Sequence, residues 1–348
     1  MGAYRNAILY GYSNTRVRAM LSRMLSKASI TDLSKAESTS TIIGSLLQTE
    51  YRKHLDHFGG EAIKENMVDF ALNRSFEASV SKLIAISPRK LRPLIESIVS
   101  RRDYQNIKLV LRAKALNKQF DSIAKYMTFS GALDEQAAKS ALDEQGVEGA
   151  ARRLMKIGDY RKALEDALAE YGKTGKLTDL ESSLDKSMLV RLGASVKKIS
   201  KISKEGSALI SMEIEMRNVL TLMRAKRAAM SVDELKDYLF DNGLTKLQNL
   251  VAMYESAKSP ADIARSAHRF ALGGMAEKSG ETDILPYEIA MKRSILEKAR
   301  LTLMKSVLSL AVIIAYYYMK ELEISSLRSI INGKAYSLSS EEIGRMIV

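Results

Sequence analysis

The sequence predicts an all-α protein, and three observations support that reading. Leu, Ala, Lys, Glu, Arg and Met dominate, with only 4 prolines among 348 residues, so long helices can run unbroken. Apolar residues recur three or four apart along nearly the whole chain, which is the period of a half-buried helix. The alternation expected of strands is hard to find.

Helical stripes and breaks alternate from the N-terminus onwards. Val17, Met20, Leu21 and Met24 give the first helix its apolar face. A turn is expected at Phe58 to Glu61, and another break at Ser87-Pro88. Leu91, Leu94, Ile95 and Ile98 restart the helical period. Breaks are expected at Tyr171 to Gly175 and at Gly206, before Ile214, Met216, Val219, Leu220 and Met223 form another stripe. Beyond that stripe, Asn242-Gly243, Ser259-Pro260, Gly273-Gly274 and Gly280 punctuate the chain. No proline follows Pro286, so the C-terminal end reads as helical, with Gly333 and Gly344 its only strong breakers. Ser306 to Met319 carries no charge, yet it is shorter than the roughly 20 apolar residues that span a bilayer. It is expected to be a helix buried all round, with Tyr316 to Tyr318 turned towards polar partners.

An internal repeat organises these helices. Residues 103–114 read DYQNIKLVLRAK, 215–226 read EMRNVLTLMRAK and 323–334 read EISSLRSIINGK, at offsets of 112 and then 108. On a helix, the first, fourth, eighth and eleventh positions share one face. That face reads Asp103, Asn106, Val110, Ala113; then Glu215, Asn218, Leu222, Ala225; then Glu323, Ser326, Ile330, Gly333. Acid, small polar, aliphatic and small residue recur in that order, as an inter-helix seam requires. Five residues beyond the closing Lys of copies two and three, SVDE from Ser231 and SSEE from Ser339 are capping boxes. In copy one the related stretch is ALDEQ, Ala132 to Gln136, displaced and without a Ser cap. Three helical units are therefore expected, 1–114, 115–226 and 227–348, either stacked in a line or closed around an axis.

Composition narrows the function classes. The absence of Cys excludes disulfides, thiolate metal sites and cysteine nucleophiles. The opening MGAYRNAILYGY lacks the charged start and apolar core of a secretory signal, so the protein is expected to stay inside the cell. A net charge of +13 and a pI near 9.6 favour a polyanion, an anionic membrane surface or an acidic protein as partner. The basic clusters Arg152, Arg153 and Lys156, then Lys197, Lys198, Lys201 and Lys204, lack interleaved aromatics and read as solvated or partner-facing surfaces. A basic helical scaffold for nucleic acid is the rival reading, supported by charge alone.

Catalytic motifs are missing. There is no phosphate loop, zinc helix, nucleophile turn or dinucleotide fingerprint. His54 and His57 could share a helical face, but no third ligand is specified, and His268 stands alone. Glu341 and Glu342 complement a helix dipole, and Met212, Met216 and Met223 read as adaptable core. No catalytic residue, cofactor or metal is expected.

The three segments resemble the C subunit of the archaeal and bacterial vacuolar-type rotary ATPases, the counterpart of the d subunit of the eukaryotic vacuolar ATPase. The clearest carrier is the C-terminal AVIIAYYYMKELEISSLRSIINGKAYSLSSEEIGRMIV, with Tyr317, Lys320, Glu321, Glu323, Ile324, Leu327, Arg328, Gly333, Lys334 and Glu342 at matching positions. The N-terminal YGYSNTRVRAMLSRML resembles the family's opening helix. Ser306 to Ser309 stands where family members often carry a Pro.

The resemblance implies a funnel of three similar units around a pseudo-threefold axis, seated on the proteolipid rotor ring and receiving the foot of the central shaft. It also implies torque transmission without catalysis, and peripheral membrane association through the ring on the cytoplasmic side. The candidate partner contacts are then Asn106, Arg112, Lys114, Asn218, Arg224, Lys226, Glu323, Arg328 and Lys334.

Overall fold

A computed structural model describes residues 2–56, 65–270, 272 and 283–348. Among these every regular element is a helix. The expected turns at Phe58 to Glu61, at Gly273-Gly274 and at Gly280 lie outside the described residues, as does His57.

The repeat found in the sequence reaches well beyond its twelve-residue segments. Three long helices, Glu65–Ile86, Leu177–Ser200 and Leu285–Lys305, begin at the same offsets of 112 and 108. Each is followed by the helix that carries a repeat segment: Arg101–Ala115, preceded in copy one by the separate Arg92–Val99, then Lys204–Arg227 and Leu310–Ala335. Short helices Phe120–Ala124, Val232–Lys236 and Ser340–Met346 come next, again in register. Copies one and two continue into Glu135–Leu142 and Leu247–Ser256.

Local chemistry sets most of these boundaries. The boxes at Ser231 and Ser339 form as expected, each hydroxyl accepting from the Glu234 or Glu342 backbone N–H while that glutamate reaches back to the cap. In copy one the element at this register starts after Gln119, whose side chain makes no cap bond. The ALDEQ stretch instead opens the next helix, with Asp134 accepting from Ala137 N. Gly175 ends its helix at φ +67°, donating to Tyr171 O. Gly206 does not break the chain: it lies in the first turn of Lys204–Arg227, capped by Ser203. A Cβ there would stand 3.0 Å from Ile314 Cδ1, so this glycine serves close helix packing instead.

The chain groups into two compact bodies, residues 40–192 and residues 1–39 with 193–348. In the first, Arg101–Ala115 packs on Phe120–Ala124, Glu135–Leu142 and Gly146–Leu154. In the second, Lys204–Arg227, Leu285–Lys305 and Leu310–Ala335 pack on one another, and the last also meets Gly2–Leu21, Lys27–Lys35 and Ser340–Met346. Every residue from Leu310 to Tyr318 is buried, which explains the uncharged run: a helix surrounded by protein has no solvent face to keep polar. The helix begins at Leu310 because Ser309 caps it, its hydroxyl accepting from Ala311 N, while Ser306 ends the helix before.

Candidate functional site

The four-position face is buried in all three copies, and its polar members are occupied inside the chain. Asp103 Oδ2 accepts from Ala132 N at 2.6 Å and from the Tyr160 hydroxyl at 2.5 Å. Glu215 accepts from Leu244 N, Thr245 N and the Thr245 hydroxyl at 2.9, 3.0 and 2.5 Å. Each carboxylate thus pins the loop that leads to the copy's closing helix. Glu323 does the same for a remote segment, accepting from Leu25 N at 3.2 Å, with Lys320 Nζ 3.5 Å away. Ser26 then caps Lys27–Lys35, as Asp134 caps Glu135–Leu142. The N-terminal segment therefore supplies the third copy with its closing helix.

The small polar position is a second fastening. Asn106 donates to Thr128 O at 2.9 Å and accepts from Thr128 N at 3.2 Å. Asn218 does likewise with Phe240, at 2.8 and 3.0 Å. Ser326 keeps the accepting half of the pattern, taking the Val348 N–H at 3.1 Å, while its hydroxyl donates to Leu322 O in its own helix at 3.0 Å. A primary amide offers a donor and an acceptor side by side, matching a peptide unit; a hydroxyl has one proton, and in Ser326 the carbonyl one turn back takes it.

The small position lies where each helix turns out. Lys118 N, Met230 N and Leu338 N donate back to Ala113 O, Ala225 O and Gly333 O. The intervening Asn117, Ala229 and Ser337 take positive φ of 50°, 51° and 58°, the left-handed helix ending. A Cβ at Gly333 would stand 2.7 Å from Ile343 Cγ1, so glycine here admits the final short helix.

Basic residues surround these endings. Arg112 is exposed and grips Glu181 with two bonds of 3.0 and 2.6 Å, which holds its guanidinium above its ordinary pKa. Lys114 Nζ donates to Leu142 O at 2.8 Å. Arg224 faces Glu288 at 3.6 Å, and Lys226 Nζ lies 4.0 Å from the Tyr254 ring centroid. Lys334 donates to Ser340 Oγ at 3.0 Å, and Arg328 is half-buried. Asn106, Asn218 and Glu323 are thus interior fastenings, while Arg112, Lys114, Arg224, Lys226 and Lys334 stand in the last turns of their helices and Arg328 lies further back along Leu310–Ala335.

Sequence reasoning missed the groups that complete these contacts. Lys108 pairs with Asp185 at 2.7 Å, and Tyr160 joins Asp103 across 57 residues. Gly131 and Gly243 leave room for the carboxylates, since a Cβ at either would collide with Asp103 or Glu215. Those two glycines stand 112 residues apart, the repeat offset, and that was a legible signal.

Burial raises the Asp103 carboxyl above its ordinary pKa, opposed by the Tyr160 hydroxyl and the Ala132 N–H. It raises Glu77 as well, opposed by the Phe129 N–H and Arg74. Both carboxylates lie among structural donors. Among the described residues no three of His, Asp or Glu converge as a metal site, and no helix is long and apolar enough to cross a membrane.

Fold and site together define an all-helical repeat protein whose interior polar groups join element to element. The chain belongs to the family described as ATP synthase (C/AC39) subunit, which matches residues 13–346. Its relatives include the A-type ATP synthase C subunit of Methanocaldococcus jannaschii, 23% identical over 97% of this chain and 86% of the relative. The C subunit of Methanosarcina mazei is 28% identical over 97% and 92% of the two chains, and that of Methanosarcina barkeri is 27% identical over the same shares.

Proposed function

We propose that this chain is the non-catalytic central-stalk subunit of an A-type or vacuolar-type ATP synthase or ATPase, coupling the rotating shaft to the membrane rotor ring. The family match along nearly the whole chain carries the reading. In this role the three units, divided near residues 114 and 226 and interleaved so that the N-terminal segment completes the third, surround a pseudo-threefold axis as a funnel. The subunit sits on the cytoplasmic side, peripheral to the membrane, and holds no cofactor. A part that transmits torque has to resist shear between its helices. Bonds that fix each loop to a buried carboxylate and a buried amide or hydroxyl supply that resistance. Arg112, Lys114, Arg224, Lys226, Arg328 and Lys334 are the proposed contacts with the polar foot of the shaft, and Asn106, Asn218 and Glu323 shape the helix ends that present them.

Affinity purification of the tagged protein from native membranes tests this. Proteolipid ring and shaft subunits should copurify, and Arg112→Glu with Arg224→Glu should reduce shaft recovery while the protein still folds. Recovery of RNA without ring or shaft subunits would favour the nucleic-acid scaffold and defeat the proposal.

A further inference from the structure

One basic cluster of the sequence has no part in the fastenings described above: Lys197, Lys198, Lys201 and Lys204. It lies at the corner between Leu177–Ser200 and Lys204–Arg227, where all four side chains are exposed and make no ion pair among the described residues. The corner before Leu310–Ala335 stands beside it. A Cβ at Gly206 would lie 3.4 Å from Ala311 Cα, so the two helices start side by side. Gly2–Leu21 joins the same end. Asn14 donates to Ser309 O at 3.3 Å and accepts from Ser309 N at 3.0 Å, while further along Leu25 meets Glu323. The first helix therefore runs in the same sense as Leu310–Ala335, and its residues before Asn14 lie at the corner end. All of these residues belong to the second body.

Acids avoid this end. Residues 1–31, 193–204 and 298–320 contain no Asp or Glu, and only Glu205 and Glu297 border the second and third stretches. Apolar side chains reach solvent there instead. Met304 and Val307 are 79% and 63% exposed on either side of Lys305, and Ile202 is exposed between Lys201 and Lys204. Ile8 and Tyr12, one helical turn apart, are 71% and 67% exposed. The repeat does not require this. At the register of Met304 and Val307, copy one has a half-buried Ile84 and a buried Ser87, and copy two has buried Val196 and Ile199.

A single exposed apolar residue is ordinary on a protein surface. Apolar tips set among free cations, with acids excluded, are the chemistry of a surface that dips into the headgroup layer of a membrane. The tips reach towards the acyl boundary, while each lysine stem lies along it and carries its ammonium to the lipid phosphates. Nucleic acid suits this end less well, since Tyr12 is the one ring among these tips and aliphatic side chains give bases nothing to stack on.

We propose that this end of the second body docks directly on an anionic lipid bilayer, with the apolar tips seated among the headgroups and the lysines of the two corners against their phosphates. Lys226 and Lys334, proposed above as shaft contacts, stand in the last turns of the same two helices, so lipid and shaft are met at opposite ends. The lipid contact does not depend on the shaft-to-ring role, and it is tested with no ring present.

The chain has no Cys, so Met304→Cys gives a unique position for an environment-sensitive dye. The labelled full-length protein is titrated with vesicles of phosphatidylcholine, alone or mixed with phosphatidylglycerol. A saturable blue shift is expected on the mixed vesicles only. A dye at Tyr336→Cys, exposed just past the far end of Leu310–Ala335 and roughly 40 Å away by helix length, should not shift. That control separates docking by this end from adsorption of a protein of net charge +13 in any orientation. In cosedimentation, Lys197→Gln with Lys201→Gln should weaken binding about tenfold or more. Ile8→Ser with Val307→Ser should do the same. All four side chains are exposed, and thermal melting establishes that each variant is folded. The proposal is overturned if the Tyr336 dye shifts as far as the Met304 dye, if the folded Ile8→Ser and Val307→Ser protein binds unchanged, or if phosphatidylcholine alone binds equally. Tighter binding of polyuridylate through the same lysines would assign this end to nucleic acid and overturn it too. A Met304 dye that ignores vesicles but shifts on a detergent-solubilised proteolipid ring would overturn the lipid contact while sustaining the ring-seated role.

Discussion

Asp103 is wholly buried and accepts from the Ala132 N–H and the Tyr160 hydroxyl, so its charge and its acceptor role can be separated by mutation. Its carboxyl is raised above the ordinary value by burial, so the folded protein holds the proton more tightly than the unfolded chain. Stability from this group is then fully present below the unfolded pKa and is lost as pH rises through the folded one. Asp103→Asn keeps an acceptor for Ala132 N and Tyr160 while removing the charge. The variant should be at least as stable as the parent at neutral pH, with a thermal midpoint that falls less between the ordinary pKa and the raised one. Asp103→Ala leaves both donors unanswered and should cost about 2 kcal/mol or more. Equal melting of the Asn and Ala variants at pH 7 would refute this account. The four-position face was legible because acid, polar, aliphatic and small residues recur at helical spacing. What each acid holds was not, because the donors Ala132 and Leu244 lie 29 residues further along, and periodicity reports faces but not partners.

At the scale of elements, the three helix endings share one geometry built from unequal residues. Asn117, Ala229 and Ser337 occupy the left-handed position, which suits Asn and disfavours a Cβ-bearing Ala or Ser by about 1 kcal/mol. Ala229→Gly and Ser337→Gly should each raise stability by about 0.5–1 kcal/mol in denaturant unfolding, net of the extra freedom glycine gives the unfolded chain. Asn117→Gly should gain less. A destabilised Ala229→Gly protein would mean that the ending is not strained. These endings explain which elements the sequence disclosed. Capping boxes announce Val232–Lys236 and Ser340–Met346 because the capping groups are side chains at fixed spacing. Phe120–Ala124 has no such side chain before it, so only the register of the repeat identifies it. Gly206 misled for a related reason: a glycine chosen for close approach to Ile314 has the same letter as one chosen for a turn.

For the molecule as a whole, the third copy differs from the others in being completed from the opposite end of the chain. Asp103 and Glu215 hold segments that lie directly after them, whereas Glu323 holds Leu25 across 298 residues. Local reading could not find that contact, since no pattern near either residue names the other. It makes the docking of Lys27–Lys35 a long-range event, sensitive to one carboxylate. A charge-assisted bond of this kind contributes about 1.5–3 kcal/mol, or roughly 10- to 100-fold in a local opening equilibrium. Glu323→Ala should therefore speed hydrogen exchange through residues 25–35 by about that factor and leave residues 244–256 protected. Glu215→Ala should show the reverse, opening 244–256 and sparing 25–35. Glu323→Gln, which retains an oxygen acceptor, should fall between parent and Ala variant, and it keeps the comparison available if the Ala protein folds poorly. Exchange at 25–35 that is indifferent to residue 323 while the C-terminal helix loosens would show that the N-terminal segment is held by its apolar face alone. The third copy would then be joined by packing, through Ile30 and Leu33, and not by the fastening that the first two share.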